Sequence, residues 1–362
     1  MVRKFSHLYR LIPLLAIIVF SCSTNRQKVM KESDSRKAFS FYYEALADIE
    51  QGFFSHALSD LDSAIYFHPG YSNFYFVKGQ VFDILQKPDS SIKAYEQSVK
   101  LKSHNPDAWI RLAELYRREK RYGEAAANYK KAVQQYPDSA VFYLHLGECY
   151  FRQKKYLLAL DRLRDYQQLA NPPSLEKKKW QGMTYYGLNE NQNAASLLQS
   201  YLDKYPNDNE ALKYLGLAKF RLGDYDQAIS ALNKAISFNG MDPEIYLFRA
   251  RYFMIYNKKK DALEQLEVGL KYDSLNADIL FELGKVHYQE SRLEKSEQYI
   301  RRAVKVKPDY WIAYRYLGFI AEANNDLEEA LRDYKLFLQN TFVDDAEVRQ
   351  RIEKIQRDLT KK

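Results

Sequence analysis

The side chains that most often carry enzyme or metal chemistry are few and scattered in this chain of 362 residues. General acid–base catalysis needs a titratable group within reach of a partner, and a metal site needs several ligands at set spacings. The sequence contains no phosphate-binding loop, nucleophile elbow or paired-histidine metal motif. We therefore predict a protein that is not an enzyme and that binds no metal or cofactor. The histidines after residue 22 stand at unrelated positions: His56, His68, His104, His145 and His287.

The two cysteines have different settings. Cys149 stands in a helical pattern beside Tyr150, where we expect a small buried apolar side chain rather than a reactive thiol. The other cysteine, Cys22, ends an N-terminal leader. The body of the chain therefore cannot form an internal disulfide.

The first 22 residues have the pattern of a secretory leader. A basic start is followed by an apolar run from Leu11 to Phe20, which is too short to span a bilayer as a helix. The segment VFSC, which ends at Cys22, resembles the lipobox of bacterial lipoproteins. The resemblance implies that residues 1–21 are removed as a signal peptide and that Cys22 is lipidated. The alternatives are an ordinary signal peptide and a retained transmembrane anchor. Polar residues 22–37 are expected to form a flexible tether.

A lipid on Cys22 would hold the protein on a membrane surface. Ser23 lacks the acidic side chain that resembles an inner-membrane retention signal in some bacteria. We therefore expect a lipid-anchored protein of the bacterial outer membrane that faces the periplasm. Export to the cell surface is the alternative.

Composition and charge describe the body of the chain. Apolar residues make up 46% and charged residues 28%, so the chain can bury a substantial core. The formal net charge is +8, but basic and acidic residues alternate instead of forming blocks. Because nucleic-acid binding usually needs a concentrated basic face, we predict no nucleic-acid partner.

A 34-residue pattern organises the rest of the chain. Its cleanest copy, Pro106 to Ser139, reads as two amphipathic helices joined by a tight turn. Residues 345–362 add one helix with a single apolar stripe, which predicts an end cap, with a free membrane-binding amphipathic helix as the alternative. The repeat units are 38–71, 72–105, 106–139, 140–173, 175–208, 209–242, 243–276, 277–310 and 311–344.

Two positions in every unit hold small residues. Two helices can approach closely only where a small side chain faces the partner, so we predict that the helices of each unit cross at these positions. Large apolar residues follow the second small position at a distance of four residues. Six of the small residues at the first position are Gly79, Gly147, Gly182, Gly216, Gly284 and Gly318, and the large residues of the same units are Tyr95, Leu163, Leu198, Leu232, Ile300 and Tyr334.

The period and the order of small, aromatic and apolar positions resemble the tetratricopeptide repeat. The resemblance implies an all-α fold, a right-handed α-solenoid of about nine helix-turn-helix repeats with a C-terminal capping helix. It also implies that the first helix of each unit lines a concave groove for a protein or peptide partner.

Mapping the groove positions of that family onto this chain predicts a partner-binding surface of aromatic, apolar and basic residues. From Lys179 onward its charges are mainly basic, which favours a partner with acidic segments. The predicted groove residues are Phe76, Ile110, Arg117, Leu144, Phe151, Lys179, Met183, Tyr186, Lys213, Phe220, Arg251, Met254, Phe281, Lys285, Tyr288, Arg315 and Phe319.

These observations predict a membrane-anchored, non-catalytic scaffold or adaptor. Such a protein resembles the tetratricopeptide lipoproteins that serve envelope assembly or secretion machinery, and we expect the same role here. Two alternatives stay open. One is an accessory binder, or enzyme-associated domain, for an anionic envelope polymer such as a cell-wall glycan. The other is a structural spacer.

Overall fold

The structure, a computed structural model, describes residues 33–101, 106–170, 175–238, 240–341 and 344–360. Within these ranges the chain is all-α and contains no strand. The predicted signal peptide and Cys22 lie outside the described residues. None of the helices in the described part is long and apolar enough to cross a membrane.

The chain divides into two compact units, unit 1 up to Lys177 and unit 2 from Lys178 onward. In unit 1, α1 covers residues 33–51 and is followed by α2 Phe54–Phe67, α3 Ser72–Ile84, α4 Pro88–Leu101, α5 Pro106–Arg118, α6 Tyr122–Gln135, α7 Ala140–Arg152 and α8 Tyr156–Leu169. The division falls in α9 Glu176–Gly187. Unit 2 continues with α10 Asn191–Leu202, α11 Asn209–Arg221, α12 Tyr225–Phe238, α13 Pro243–Ile255, α14 Lys259–Tyr272, α15 Ala277–Gln289, α16 Leu293–Val306, α17 Trp311–Ala323, α18 Leu327–Asn340 and α19 Ala346–Thr360.

The first helix begins earlier than the tether prediction allowed. Residues 33–37, which we assigned to the tether, are already helical in α1. The ammonium of Lys37 lies 5.4 Å from the centre of the Phe67 ring, and the next residue, Ala38, is fully buried. Packing against α2 therefore orders a segment whose polar composition alone did not predict a helix.

Each pair of helices is joined through one residue in the left-handed conformation. The next residue donates its N–H to a carbonyl five positions back, as from Lys87 to Phe82 at 2.9 Å and from Arg121 to Tyr116 at 2.8 Å. This long backbone bond closes a Schellman cap at the end of the first helix of the pair. The left-handed residues, with φ from 55° to 86°, are Gly52, Gln86, Lys120, Lys154, Asn189, Gly223, Asn257, Ser291 and Asn325.

The helices of a pair cross where the small positions predicted. A Cβ added at any of the six glycines named above would lie 2.3–2.9 Å from the large apolar side chain 16 residues later. The tightest case is Gly284, whose added Cβ would be 2.3 Å from Ile300. Real Cβ contacts are longer, so these glycines are required by the close approach of the helices, and the prediction is confirmed.

The last helix covers the final repeat, as its apolar stripe predicted. Val348 and Ile355 of α19 are buried in one cluster with Tyr334 and Phe337. Glu322 of α17 accepts hydrogen bonds from the Tyr334 hydroxyl and from Arg351 of α19, both at 2.8 Å. The capping helix is therefore held by an apolar face and by a partly buried polar bridge.

Candidate functional site

The structure separates the predicted groove residues into interior and surface groups. The interior group packs inside its own unit and does not offer a contact surface; it contains Leu144, Phe151, Met183, Tyr186, Phe281 and Phe319. The partly exposed group contains Phe76, Ile110, Arg117, Lys179, Lys213, Phe220, Arg251, Met254, Lys285, Tyr288 and Arg315. The role of this surface in binding a partner stays a prediction.

Several of the predicted basic residues are neutralised by carboxylates at the start of the helix two places further along the chain. Lys213 Nζ lies 2.7 Å from Asp242 Oδ2 and 2.8 Å from Glu244 Oε2. Burial acts to lower the pKa of Lys213, but the charges of Glu244 and Asp242 outweigh it and hold that pKa above its usual value. The same arrangement recurs for Lys179 with Asp208 and Glu210, and for Arg315 with Asp345 and Glu347.

The carboxylates of these ion pairs also cap helices. Asp208 Oδ1 accepts from the Ala211 N–H at 3.0 Å, which is an N-cap bond, while its Oδ2 accepts from Lys179. Burial acts to raise the pKa of Asp208, but the bonds from Lys179 and Ala211 outweigh it and leave that pKa below its usual value. The positive charge that we expected at Lys179, Lys213 and Arg315 is therefore largely balanced by these carboxylates, and the ion pairs join α9 to α11, α11 to α13 and α17 to α19.

One group of predicted residues lines an open cleft, which we call the unit 2 cleft. Its volume is about 710 Å³, and it lies among α11, α13, α14 and α15. The sequence predicted four of its lining residues, Phe220, Arg251, Met254 and Lys285. The other lining residues were not predicted from the sequence; they are Ile255, Asn257, Lys259, Glu282, Val286 and Gln289.

A single carboxylate in the unit 2 cleft faces two permanent cations. Arg251 Nε donates to Glu282 Oε1 at 3.0 Å, and Lys285 Nζ donates to Glu282 Oε2 at 2.9 Å. Lys259, a third cation of the lining, donates to the backbone carbonyl of Gln289 at 3.2 Å. The lining therefore keeps an excess of positive charge, unlike the paired positions at Lys213 and its equivalents.

The apolar part of the cleft is unusually exposed. Residues 252–256 read YFMIY, whereas the equivalent positions of two other repeats read LYRRE at 115–119 and VHYQE at 286–290. Ile255 is 47% exposed, and Phe220 is fixed edge-on against Phe248 with ring centres 5.1 Å apart. A fixed aromatic wall beside exposed aliphatic side chains is typical of a surface that anchors an apolar group.

Other reactive side chains lie apart from the cleft. Cys149 is fully buried, and burial together with the charge of Glu148 raises the pKa of its thiol to about 12. Burial likewise lowers the pKa of His287, which stacks on Tyr299. In the part of the chain that the structure describes, no three histidine, cysteine or acidic side chains form a group that could hold a metal.

Profiles of the tetratricopeptide repeat match residues 76–140, 116–172, 181–244, 249–306 and 294–341. These matches cover well over half of the chain. The chain belongs to the tetratricopeptide repeat family. Tetratricopeptide repeat proteins generally mediate protein–protein interactions and are typically non-catalytic scaffolds.

Individual relatives are distant. A crystal structure of a tetratricopeptide repeat protein from Parabacteroides merdae shares the fold, with a TM-score of 0.51 and 13% identity over 67% of this chain and 96% of that one. "TPR repeat-containing protein YpiA" of Bacillus subtilis is 18% identical over 84% of this chain and 71% of its own length. "DnaJ homolog subfamily C member 3 homolog" of Dictyostelium discoideum is 22% identical over 55% of this chain. The match spans only 43% of that relative's length.

Proposed function

We propose that this protein is a non-catalytic adaptor that binds a protein partner in the unit 2 cleft. The observation that carries the proposal is the combination of exposed apolar side chains and unbalanced positive charge in one open cavity. Interfaces are anchored by aromatic and aliphatic side chains that fill pockets, with arginine among the residues that contribute most. Phe220, Met254 and Ile255 would supply the apolar anchor, and Arg251 would supply the charged one.

The charge of the cleft favours a partner segment that is acidic. Complementary charge speeds encounter and selects among partners more than it adds affinity. Because Lys179, Lys213 and Arg315 are paired with carboxylates, we place this preference at the unit 2 cleft rather than along the whole basic stripe.

We also propose that the adaptor is a lipoprotein of the bacterial outer membrane that serves envelope assembly or secretion from the periplasmic side. The support is the apolar run from Leu11 to Phe20 and the VFSC segment that ends at Cys22. Metabolic labelling with a palmitate analogue tests the anchor. Labelling should disappear in Cys22→Ser, and labelling that persists in that variant would refute the proposal.

Crosslinking in native cells tests the cleft. Ile255→Asp places a charge on the apolar wall, and it should abolish the crosslinked partner band. Leu157→Asp is the matched control, because Leu157 is 70% exposed, lies in unit 1 and should leave the band intact. If the crosslinked band persists in Ile255→Asp, the partner does not bind in the unit 2 cleft. Capture should weaken less with salt than binding to an anionic glycan would, because the apolar anchor is not screened.

A further inference from the structure

We infer that Glu282 is an internal competitor that sets the affinity of the unit 2 cleft for acidic side chains. The cleft would hold a partner carboxylate on Arg251 and Lys285 while an adjacent apolar side chain rests on Met254 and Ile255. This inference rests on the proposed function and names the chemistry of the segment that the cleft accepts.

The guanidinium of Arg251 has its carboxylate-binding edge available. Glu282 accepts a hydrogen bond from the Nε of Arg251 only. The Nη1 and Nη2 groups form no hydrogen bond with any residue of the described part of the chain. The two Nη groups form a fork that matches both oxygens of a carboxylate. The Arg251 side chain is 34% exposed, so an incoming group can reach this fork.

The fork is held in place before any partner arrives. The guanidinium lies over the ring of Phe248, 5.2 Å from its centre, while Glu282 holds Nε. Lys285 Nζ uses one of its donors on Glu282 and is 29% exposed, so its remaining donors can join the same incoming oxygen atoms. A site ordered in advance loses less conformational entropy on binding.

Glu282 opposes such a ligand through its charge. Its side chain is only 10% exposed, so solvent screens it weakly, and it sits within 3.0 Å of both cations. A carboxylate arriving at the Nη fork would meet this like charge across the guanidinium. Glu282→Gln keeps an oxygen that can accept from Arg251 Nε but removes the charge, so binding of an acidic segment should tighten.

Unit 1 contains a matched control. Glu148 is buried, as Glu282 is, and it also pairs with an arginine. Its partner is Nη1 of Arg117, at 3.1 Å, rather than the Nε atom. The end of the Arg117 fork is therefore already occupied in part. Glu148→Gln removes the same kind of charge from the same protein without changing the unit 2 cleft.

Calorimetric titration of the full-length protein, in a neutral detergent, tests the inference with two synthetic peptides. One is a nine-residue peptide of alternating Asp and Leu, and the other replaces each Asp by Asn. The wild-type protein should bind only the Asp peptide. Glu282→Gln should bind it about tenfold more tightly, Glu148→Gln should match the wild type, and Arg251→Gln should lose binding.

Three results would overturn the inference: equal binding of both peptides, unchanged or weaker binding by Glu282→Gln, or the same gain in Glu148→Gln. Circular dichroism of each variant verifies the helical content during the titrations. If neither peptide binds but the crosslinked partner still depends on Ile255, the adaptor proposal stands and the role of Glu282 fails. If the partner band survives Ile255→Asp, the adaptor proposal fails at its own test.

Discussion

Each unit of the chain contains a buried carboxylate paired with an arginine 31 residues earlier, but the second residue that contacts the carboxylate differs between the two pairs. In unit 1, Arg117 Nη1 is 3.1 Å from Glu148, and the second neighbour is His145 at 3.8 Å. In unit 2, Arg251 Nε is 3.0 Å from Glu282, and the second neighbour is Lys285 at 2.9 Å. A histidine is charged only when protonated, whereas a lysine is a permanent cation at neutral pH.

The difference shows how one repeat position can serve two purposes. In unit 1 the pair joins two repeats, and the charge of Arg152 also acts on Glu148. Burial acts to raise the pKa of Glu148, but hydrogen bonding from His145 and the charge of Arg117 outweigh it and keep that pKa below its usual value. In unit 2 the additional lysine leaves a surplus positive charge at an open cleft. The equivalent pair can therefore take part in binding a partner.

The largest effect should come from removing the arginine of each pair. Arg117→Met removes the ion pair of Glu148 at 3.1 Å and leaves that buried carboxylate to His145 and to the charge of Arg152, so it should lower the free energy of unfolding by about 2–3 kcal/mol. Arg251→Met leaves Lys285 in contact with Glu282 and should lower it by only about 1 kcal/mol. Urea denaturation followed by circular dichroism measures both losses, and equal losses would contradict the comparison.

The loss in free energy of unfolding caused by Arg117→Met should also depend on pH. Because the folded-state pKa of Glu148 is lowered, its contribution to stability is present above its unfolded pKa of about 4.3 and is lost as the pH falls through the folded value. The difference between wild type and Arg117→Met should therefore shrink below about pH 4.

The second effect concerns the paired lysines of unit 2. Lys213 is 15% exposed and has two carboxylate partners, so Lys213→Gln should lower the free energy of unfolding by about 2 kcal/mol. Lys285→Gln is the control, because Arg251 still neutralises Glu282, and its loss should stay below about 1 kcal/mol. The same urea titrations decide the point, and a larger loss for Lys285→Gln would show that the unit 2 cleft is held together by its surplus charge.

The parts of this fold that follow from contacts within a repeat could be predicted from sequence. The glycine at one position and the large apolar residue 16 later meet inside the same helix pair, so the pattern itself records the contact. The capping helix could be predicted because its apolar stripe is visible in the sequence, and that stripe packs against the last repeat. The left-handed turn residues were missed because their types vary, from glycine to lysine, and only their spacing of 34 or 35 residues marks them.

The candidate site was harder to predict because it depends on contacts between repeats. Phe151 and Met254 occupy the same position of their units, and both were assigned to one groove. Phe151 is only 5% exposed and packs near Tyr156, whereas Met254 lines the open cleft. Lys213 and Asp242 stand 29 residues apart in sequence and meet at 2.7 Å, a contact that no pattern of residue types in the sequence indicated. The three-dimensional stacking of neighbouring repeats decides which faces are covered and which charges are paired.

A third buried carboxylate extends the comparison, since it has no strong partner. Asp333 Oδ1 is 3.6 Å from Arg332 Nε, while Oδ2 has no hydrogen bond among the described residues. Burial raises the pKa of Asp333 to about 6. A folded-state pKa above the unfolded value of about 4 gives a stabilising contribution that is complete below pH 4 and lost as the pH rises through 6.

Asp333→Asn should therefore raise the free energy of unfolding at pH 7.5 by about 1–2 kcal/mol, because the amide has no charge to bury. At pH 4 the variant and the wild type should have nearly the same stability. Thermal unfolding at the two pH values measures this gain. A variant that is less stable at pH 7.5 would show that Asp333 has a stabilising partner, as Glu148 and Glu282 do.

The smallest effect lies in the turns, where the two units again differ. After Gly52, the left-handed positions of unit 1 hold Gln86, Lys120 and Lys154, whereas those of unit 2 hold asparagine, glycine or serine. The left-handed region costs a side chain with an ordinary Cβ about 1 kcal/mol, and asparagine tolerates it better because its amide bonds locally.

Lys154→Gly should therefore stabilise the protein by about 0.5–1 kcal/mol, since Lys154 is exposed, has a φ of 60°, and its backbone bond to Phe151 survives the change. Asn257→Gly, at a φ of 56° in unit 2, should change stability by no more than about 0.3 kcal/mol. Paired urea titrations resolve this difference. An equal gain at both turns would mean that backbone strain is shared evenly by the units, and that they differ only in how their buried carboxylates are paired.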